Sequence, residues 1–327
     1  MRALALFSGG LDSMLAIKLM TLQGIEVIAI NMNIGFGSTK SKVDLMRTRA
    51  KMAGARFEVI DTREEYIQKI LFDPKHGYGK HFNPCIDCHG FMFRTAKALL
   101  PHFDAQFIVT GEVIGQRPMS QRIEAINTVT KLAEDDDELI LRPLCAKLMK
   151  ETKPEREGWV DREKLLNISG RGRDRQIELA AEFGFDDYES PGGGCLLTLE
   201  AFSNKIGDFI KHDTFEVQDI DLLKFGRHLR LPDGAKLVIG RNQDDNDELE
   251  KIQNEKYSPI IILNDVPGPV SLLANNASEA DTHLAIRLIL AYAKTHKGQD
   301  YAVTFKNETI TLSPAADKKE AHQYFVN

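Results

Sequence analysis

At 327 residues the chain has room for about two domains, taking roughly 150 residues per domain. Its 43% hydrophobic and 28% charged residues are ordinary for a water-soluble chain with a real core, and no apolar run approaches the roughly 20 residues of a membrane helix. A net charge of −6 excludes a binder held on nucleic acid by overall charge and leaves only a local basic patch.

The first half alternates short β-rich runs with helical patterns. "RALALF" reads as a buried strand, and "LDSMLAIKLMTLQG" as a helix stopping at Gly24. "EVIAINMN" is a second strand, "KSKVDLMRTRAKMAG" a helix ending at Gly54, "RFEVIDT" a third strand and "REEYIQKILF" a helix. "HFNPCIDCHG" reads as a loop before the helix "GFMFRTAKALLPHF". "AQFIVTGE" and "ELILRPL" are further strands, and the acidic run 134–138 is a solvated loop. Strands alternating with helices imply βαβ units, hence an α/β domain with a parallel sheet. Such a sheet binds ligands at the carboxyl ends of its strands.

From about residue 150 the texture changes. "REKLLNISGRGRDRQIELAAEFGF" reads as helical, and the glycine-rich turn "SPGGGC" and the helix "LEAFSNKIGDFIKH" follow it. A linker at 213–217 would end a first domain at 212 and open a smaller α+β domain over 213–327. Its strands are "KLVIG", "PIIIL", "PVSLLA", "AVTFK" and "ETITL", with helices at about 244–256 and 278–295. The opening "MRALALFSGG" is too short in apolar residues for a signal peptide, so a cytoplasmic protein without a membrane partner is expected.

The most specific stretch is "LFSGGLDSMLAIKL". A strand ends at Phe7, a glycine pair permits a tight turn, and a helix starts near Asp12 and Ser13. Backbone N–H groups of Gly9, Gly10 and Leu11 at a helix N-terminus would cradle an anion, with the Ser8 and Ser13 hydroxyls as further donors. Asp12 would hold Mg²⁺ bridging the phosphates. The plainer reading is a glycine turn with Asp12 as the helix N-cap. Against it stands the full S-G-G-x-D-S directly after a strand, which resembles the signature of the PP-loop ATP pyrophosphatases. The resemblance implies an adenine-nucleotide hydrolase-like fold, cleavage of ATP between the α and β phosphates, and adenylation of a substrate carbonyl oxygen. It also places Asn31 and Met32, at the end of the second strand, beside the adenine, and Gly111 and Glu112 near the ATP or the activated base.

Four cysteines are the next clue. Cys85 and Cys88 form a C-x-x-C, Cys195 follows the glycine turn, and Cys145 reads as a small buried hydrophobe. A C-x-x-C with one distant cysteine resembles the tRNA sulfurtransferases. "NPCIDCHGFMF" is similar to the N-P-x-x-x-C-N loop of wobble 2-thiouridylases, and "TGEVIGQRPMSQ" to a stretch of 4-thiouridine synthases. "GRGRDRQIELAAEFG" resembles both, and the likeness covers about residues 1–212.

The resemblance implies tRNA and a sulfur donor, either sulfide or a persulfide carrier such as a cysteine desulfurase, as partners. Catalysis would fall to Asp12, Cys88 and Cys195. Two chemistries fit. A [4Fe–4S] cluster on Cys85, Cys88 and Cys195 leaves one iron open for sulfide. Alternatively one cysteine carries a persulfide, released as its partner forms a disulfide. A structural zinc site would need a fourth ligand, His89 or Cys145. Arg117, Arg171 and Arg173, with Gln121 and Arg122, are candidates for RNA phosphates or for a plain solvated face.

The last hundred residues resemble a different family. "LVIGRNQDDNDELEKI", "IIILNDVPGPVSLL" and "EADTHLAIRLILAYAKT" are similar to the RNA-binding domain of NFACT-type proteins. That resemblance implies a tRNA-docking module, against a cap or a dimerisation domain that would make the chain a homodimer. The alternatives to tRNA thiolation are a PP-loop enzyme sulfurating or amidating a small molecule, and a non-catalytic RNA-binding protein that uses ATP as a structural ligand.

Overall fold

The strand β1 (Arg2–Leu6) buries both its faces, so its side chains form a continuous apolar run rather than an alternation. It lies at the centre of a parallel five-stranded sheet. The computed structural model describes residues 1–37, 40–188 and 194–326. The chain divides into two units, Met1–Thr198 and Leu199–Asn327.

In the first unit β1 leads through α1 (Leu11–Thr21) to β2 (Glu26–Asn33), and through α2 (Lys40–Ala53) to β3 (Arg56–Asp61). A single turn, α3 (Arg63–Tyr66), runs on as a π-helix over Ile67–Leu71. Then come α4 (Cys85–Leu99), β4 (Phe107–Thr110), α5 (Ile123–Leu132), the two-residue β5 (Ile140–Leu141), the turn α6 (Lys153–Arg156) and α7 (Asp174–Glu182). The strand order is β3-β2-β1-β4-β5, with Ala5 opposite Ala29 on one side and Val109 on the other. One core packs α1, α2 and α7 residues on the Ala3 and Ala5 face. A second packs α4 and α5 residues, among them Phe93, Ala96 and Val129, on the Leu4 and Ile28 face. Each fully buried Leu or Ile contributes about 1.5–3 kcal/mol. Because the order reverses between β1 and β4, a crevice opens at their carboxyl ends, where such sheets bind ligands.

Several local expectations need correction. Cys85 and Cys88 do not lie in a loop before a helix. They form the first turn of α4, with Pro84 at the cap and the Cys88 N–H donating to the Pro84 carbonyl at 2.8 Å. The helix expected over 162–185 shrinks to α7, because Gly170 takes a φ of +85° and holds the preceding chain out of helix. The acidic run is not wholly solvated. Asp135 is buried and accepts the Leu139 and Ile140 N–H groups at 2.8 and 3.1 Å. The sequence reading also missed α5, whose polar residues at Asn127 and Thr128 weaken its apolar stripe. The glycine turn ahead of Cys195 lies largely outside the described residues.

The second unit contains α8 (Glu200–Ile210), α9 (Val217–Lys224), β6 (Arg227–Arg230), β7 (Lys236–Ile239), α10 (Gln243–Leu249), β8 (Tyr257–Ile262) and β9 (Ser271–Ala274). It continues with α11 (Glu279–Tyr292), β10 (Tyr301–Phe305) and β11 (Glu308–Leu312). Its sheet is antiparallel, ordered β11-β10-β8-β9-β7-β6, with Ala285, Ile286 and Ile289 of α11 in its core. The sequence reading ends the first domain at 212, whereas α8 is tied into the second unit. Asp208 of α8 accepts from Arg230 at 2.7 and 3.0 Å and from Lys236 at 2.7 Å. Burial works to raise the Asp208 pKa, yet the Arg230 hydrogen bonds and the Lys236 charge hold it down at about 2. Among the described residues no helix is long and apolar enough to cross a membrane.

Candidate active site

The turn between β1 and α1 is built to leave donors free. Gly9 takes a φ of +78°, which a side chain resists, and a Cβ there would meet Met46 Cγ at 2.7 Å. Gly10 caps α1 in an extended conformation without a side-chain cap, so the first N–H groups of the helix have no intrahelical partner. The Ser13 hydroxyl donates to the Gly10 carbonyl at 2.7 Å, while Ser8 Oγ accepts the Gly10 N–H at a long 3.4 Å. Two residues outside the turn brace it. Asn31 Nδ2 donates to the Phe7 carbonyl at 3.0 Å. The buried Arg49 donates to the Gly9 carbonyl at 3.1 Å and pairs with Asp187 at 2.9 Å. Asn31 is thus a brace of the turn's entry, and Arg49, one Arg among several in an amphipathic helix, carried no sequence signal.

Asp12 faces inward rather than to solvent. Gln116 Nε2 donates to Asp12 Oδ2 at 2.6 Å, Arg173 pairs with the same oxygen at 3.3 Å, and Gln176 Nε2 donates to Gln116 Oε1 at 2.9 Å. Asp12 and Arg173 side chains are only 17% and 14% exposed. Asp12 Oδ1, Arg173 Nε and Gln176 Oε1 are all buried without a partner. Three orphaned polar atoms around one anion cradle suit a charged ligand, a cation at Asp12 and an anion at Arg173. A parallel bridge between Ile114 and Ser169, with the Gly170 N–H donating to Ile114 at 2.7 Å, joins "TGEVIGQ" to "GRGRDRQ" and brings Arg173 here. Arg173 therefore lies against Asp12 beside the glycine turn and not on an outer basic face, whereas Arg117 and Arg171 are exposed.

The end of β4 presses on the loop helix. A Cβ on Gly111 would lie 2.5 Å from Asp12 C and Ser13 N. The next residue, Glu112, is 4% exposed and ionised in place. Burial alone would raise its pKa, but Arg142 at 2.9 Å and His89 Nδ1 at 3.0 Å hold it below the usual range. Arg142 is also buried and stacks over Phe93 with its guanidinium 5.7 Å from the ring centre. Glu112 thus links the β4 end, against the phosphate loop, to His89, one residue beyond Cys88.

Cys85, Cys88 and Cys195 come together, and all four cysteines are free thiols. Burial pushes the Cys88 thiol well up, and the neighbouring Cys195 and Cys85 push it in the same direction. Burial likewise raises Cys195 to about 11, against a backbone hydrogen bond from Leu197. Cys85 is raised by burial but relieved by Asn83, which accepts its thiol at 3.1 Å, and by the Arg117 charge. The Cys195 segment is fixed by the Leu196 N–H donating to the Phe36 carbonyl at 2.9 Å. Asp87, between the two α4 cysteines, is buried and accepts the Lys75 and His76 N–H groups at 3.1 and 2.9 Å. Cys145 is fully buried, raised by burial to about 11, and its thiol donates to the Glu112 carbonyl at 3.4 Å. Among the described residues no group of three or more His, Cys, Asp or Glu converges as a single-ion site.

The glycine turn after β1 lies at the switch point of the parallel sheet, and Gly111, Glu112 and His89 link it to the turn of α4 that bears Cys88. Residues 2–80 match the Arginosuccinate synthase N-terminal HUP domain, and residues 226–325 match the NFACT protein RNA binding domain. The chain is 33% identical over 149 residues to a probable tRNA sulfurtransferase of Thermococcus kodakarensis, covering 44% of this chain and 36% of the relative. It is 28% identical over 145 residues to the tRNA-specific 2-thiouridylase MnmA of Helicobacter hepaticus, covering 42% and 39%. The chain thus spans less than half the length of these curated relatives. A 4-thiouridine synthetase solved in complex with RNA and bound ATP superposes with a TM-score of 0.39 at 18% identity, covering 68% of this chain and 52% of that one.

Proposed function

We propose that the chain is an ATP-dependent tRNA sulfurtransferase of the cytoplasm, which adenylates a uridine carbonyl oxygen and replaces it with sulfur. One observation carries the reading. The C-terminal end of β4 touches the phosphate loop through Gly111 and, through Glu112 and His89, the turn that bears Cys88. A substrate carbonyl lodged there would have a nucleotide on one side and sulfur on the other.

The free N–H groups at the start of α1, with Arg173, hold the ATP phosphates. Asp12 Oδ1 is the group for Mg²⁺, which when bound neutralises phosphate charge. The uridine oxygen attacks the α-phosphorus, the bond to the bridging oxygen breaks, and pyrophosphate leaves. Sulfur arriving from the cysteine end then forms the carbon–sulfur bond as AMP departs with the former carbonyl oxygen. Cys85, Cys88 and Cys195 would hold a [4Fe–4S] cluster, which when bound supplies a site for the incoming sulfide. A Cys88 persulfide with Cys195 as its resolving partner serves the same step without iron. Arg117, exposed beside Cys85, and Arg171 contact RNA phosphates, and the second unit docks the tRNA. Sulfide or a persulfide carrier is the sulfur donor.

The test is tRNA-dependent pyrophosphate release together with mass spectrometry of the tRNA nucleosides. Asp12→Ala is expected to stop pyrophosphate release. Cys88→Ala and Cys195→Ala are expected to stop thiolation while the phosphate loop still binds ATP. Thiolation by the double cysteine variant would sink the sulfur assignment, and pyrophosphate release by Asp12→Ala would sink the phosphate-loop assignment.

A further inference from the structure

Tyr66 is 0% exposed, and its hydroxyl has no hydrogen-bond partner of ordinary geometry. Its ring is fixed on two sides, by Phe36 at 6.1 Å and Phe91 at 5.9 Å between ring centres. Phe36 is the residue whose carbonyl anchors the Cys195 segment, and Phe91 lies one turn of α4 beyond Cys88. The π-helix over Ile67–Leu71 begins directly after Tyr66. Such turns recur at functional sites because they re-aim side chains. The thiols that act electrostatically on the Tyr66 hydroxyl are those of Cys88, Cys195 and Cys85, with Cys88 foremost.

A buried hydroxyl without a partner lowers stability, and a phenylalanine would fill the same space without that cost. The neutral Cys88 thiol is a poor acceptor. An anionic sulfur at Cys88 is a far better one. We propose that the Tyr66 hydroxyl is the hydrogen-bond donor to an anionic sulfur carried at Cys88, in a sulfur-binding site closed by the rings of Tyr66, Phe36 and Phe91. This rests on the sulfur-transfer reading above and names the residue that holds the sulfur. The anionic sulfur has two sources, a cluster-bound Cys88 thiolate or the outer sulfur of a Cys88 persulfide. Loading of the persulfide balances without an external oxidant. The Cys88 thiolate attacks the outer sulfur of a small-molecule persulfide R–S–SH, the donor's S–S bond breaks, a new S–S bond forms on Cys88, and the donor leaves as R–S⁻.

The experiment compares full-length wild type with Tyr66→Phe, which keeps the ring packing, without tRNA or ATP. One arm loads the protein without oxygen using ferrous iron and sulfide. It records the visible spectrum, the reduction potential and the rate of iron loss to a chelator. The other arm loads with cysteine persulfide, and reads Cys88 persulfide half-life by alkylation and mass spectrometry. Loss of one outer hydrogen bond to a metal ligand commonly costs at least about tenfold in retention. Tyr66→Phe is therefore expected to lose its sulfur about tenfold faster in whichever arm loads. In the cluster arm its potential becomes more negative, because the donor no longer stabilises the reduced form. The unloaded variant is expected to melt at or above the wild-type temperature, which a purely structural hydroxyl would not allow. Equal retention in wild type and variant overturns the proposal while the sulfur-transfer reading stands. A wild type that loads in neither arm overturns both.

Discussion

Gly111→Ala is the sharpest test of how the site is assembled. Gly111 has no unusual backbone angle, so the substitution introduces no φ strain. The obstacle is the neighbour. The added Cβ would lie 2.5 Å from Asp12 C, 2.5 Å from Ser13 N and 2.7 Å from Asp12 O. All three are backbone atoms of the first turn of α1, which no rotamer change can move. Restoring an ordinary contact of about 3.5 Å requires β4 and α1 to part by roughly 1 Å. Overpacking of this kind costs about 1–3 kcal/mol, which lowers the melting temperature by several degrees in a unit of this size. The functional cost is larger, since roughly 1 Å of misplacement at a reacting centre can cost about a hundredfold in rate. Titration calorimetry with ATP·Mg²⁺, pyrophosphate release and a thermal melt read the three effects. Wild-type ATP affinity and rate in a well-folded Gly111→Ala protein would refute the claim that β4 and the phosphate loop are in obligatory contact.

Glu112→Gln removes the charge opposite Arg142, both side chains being at most 5% exposed. An uncompensated buried guanidinium costs about 3–5 kcal/mol, so the first unit should unfold at clearly lower urea, and an unchanged midpoint would contradict the pairing. Asp208 gives a pH signature in the second unit. Its folded pKa of about 2 lies below the ordinary 3.8, so its stabilisation is complete above about pH 4 and fades as pH falls toward 2. That gap is worth about 2 kcal/mol, and Asp208→Asn should flatten acid unfolding over this window when melts are followed from pH 5 downward. Cys145→Ala should leave sulfur loading and thiolation at wild-type levels, because its thiol is spent on weak contacts to the Glu112 carbonyl at 3.4 Å and to Met149 Sδ at 3.9 Å. Loss of thiolation in a stable Cys145→Ala protein would bring that cysteine back into the chemistry.

The sequence by itself determined the βαβ order, the glycine turn after the first strand and the C-x-x-C spacing. Local rules suffice for these. A strand buried on both faces reads as an unbroken apolar run, as in β1 and β2, and S-G-G-x-D-S carries its own turn chemistry. Even the second unit's five main strands were legible, although β6, "RHLR", was not, since its inner residues are His and Leu between two arginines. Tertiary structure alone decided what each polar residue faces. Arg173 and Asp12 are 161 residues apart, and the fold makes them a pair, with the Ile114–Ser169 bridge joining the segments that meet there. Tyr66 reads as one more aromatic in a helix until its buried hydroxyl, without a partner of ordinary geometry, is set against the Cys88 thiol that acts on it. Hydrophobic period is a property of neighbours along the chain, whereas the partner of a buried charge or hydroxyl depends on which distant segment the fold sets against it. That is why the sequence pointed to the glycine turn and the C-x-x-C, while their linkage through Gly111, Glu112 and His89 had to wait for the fold.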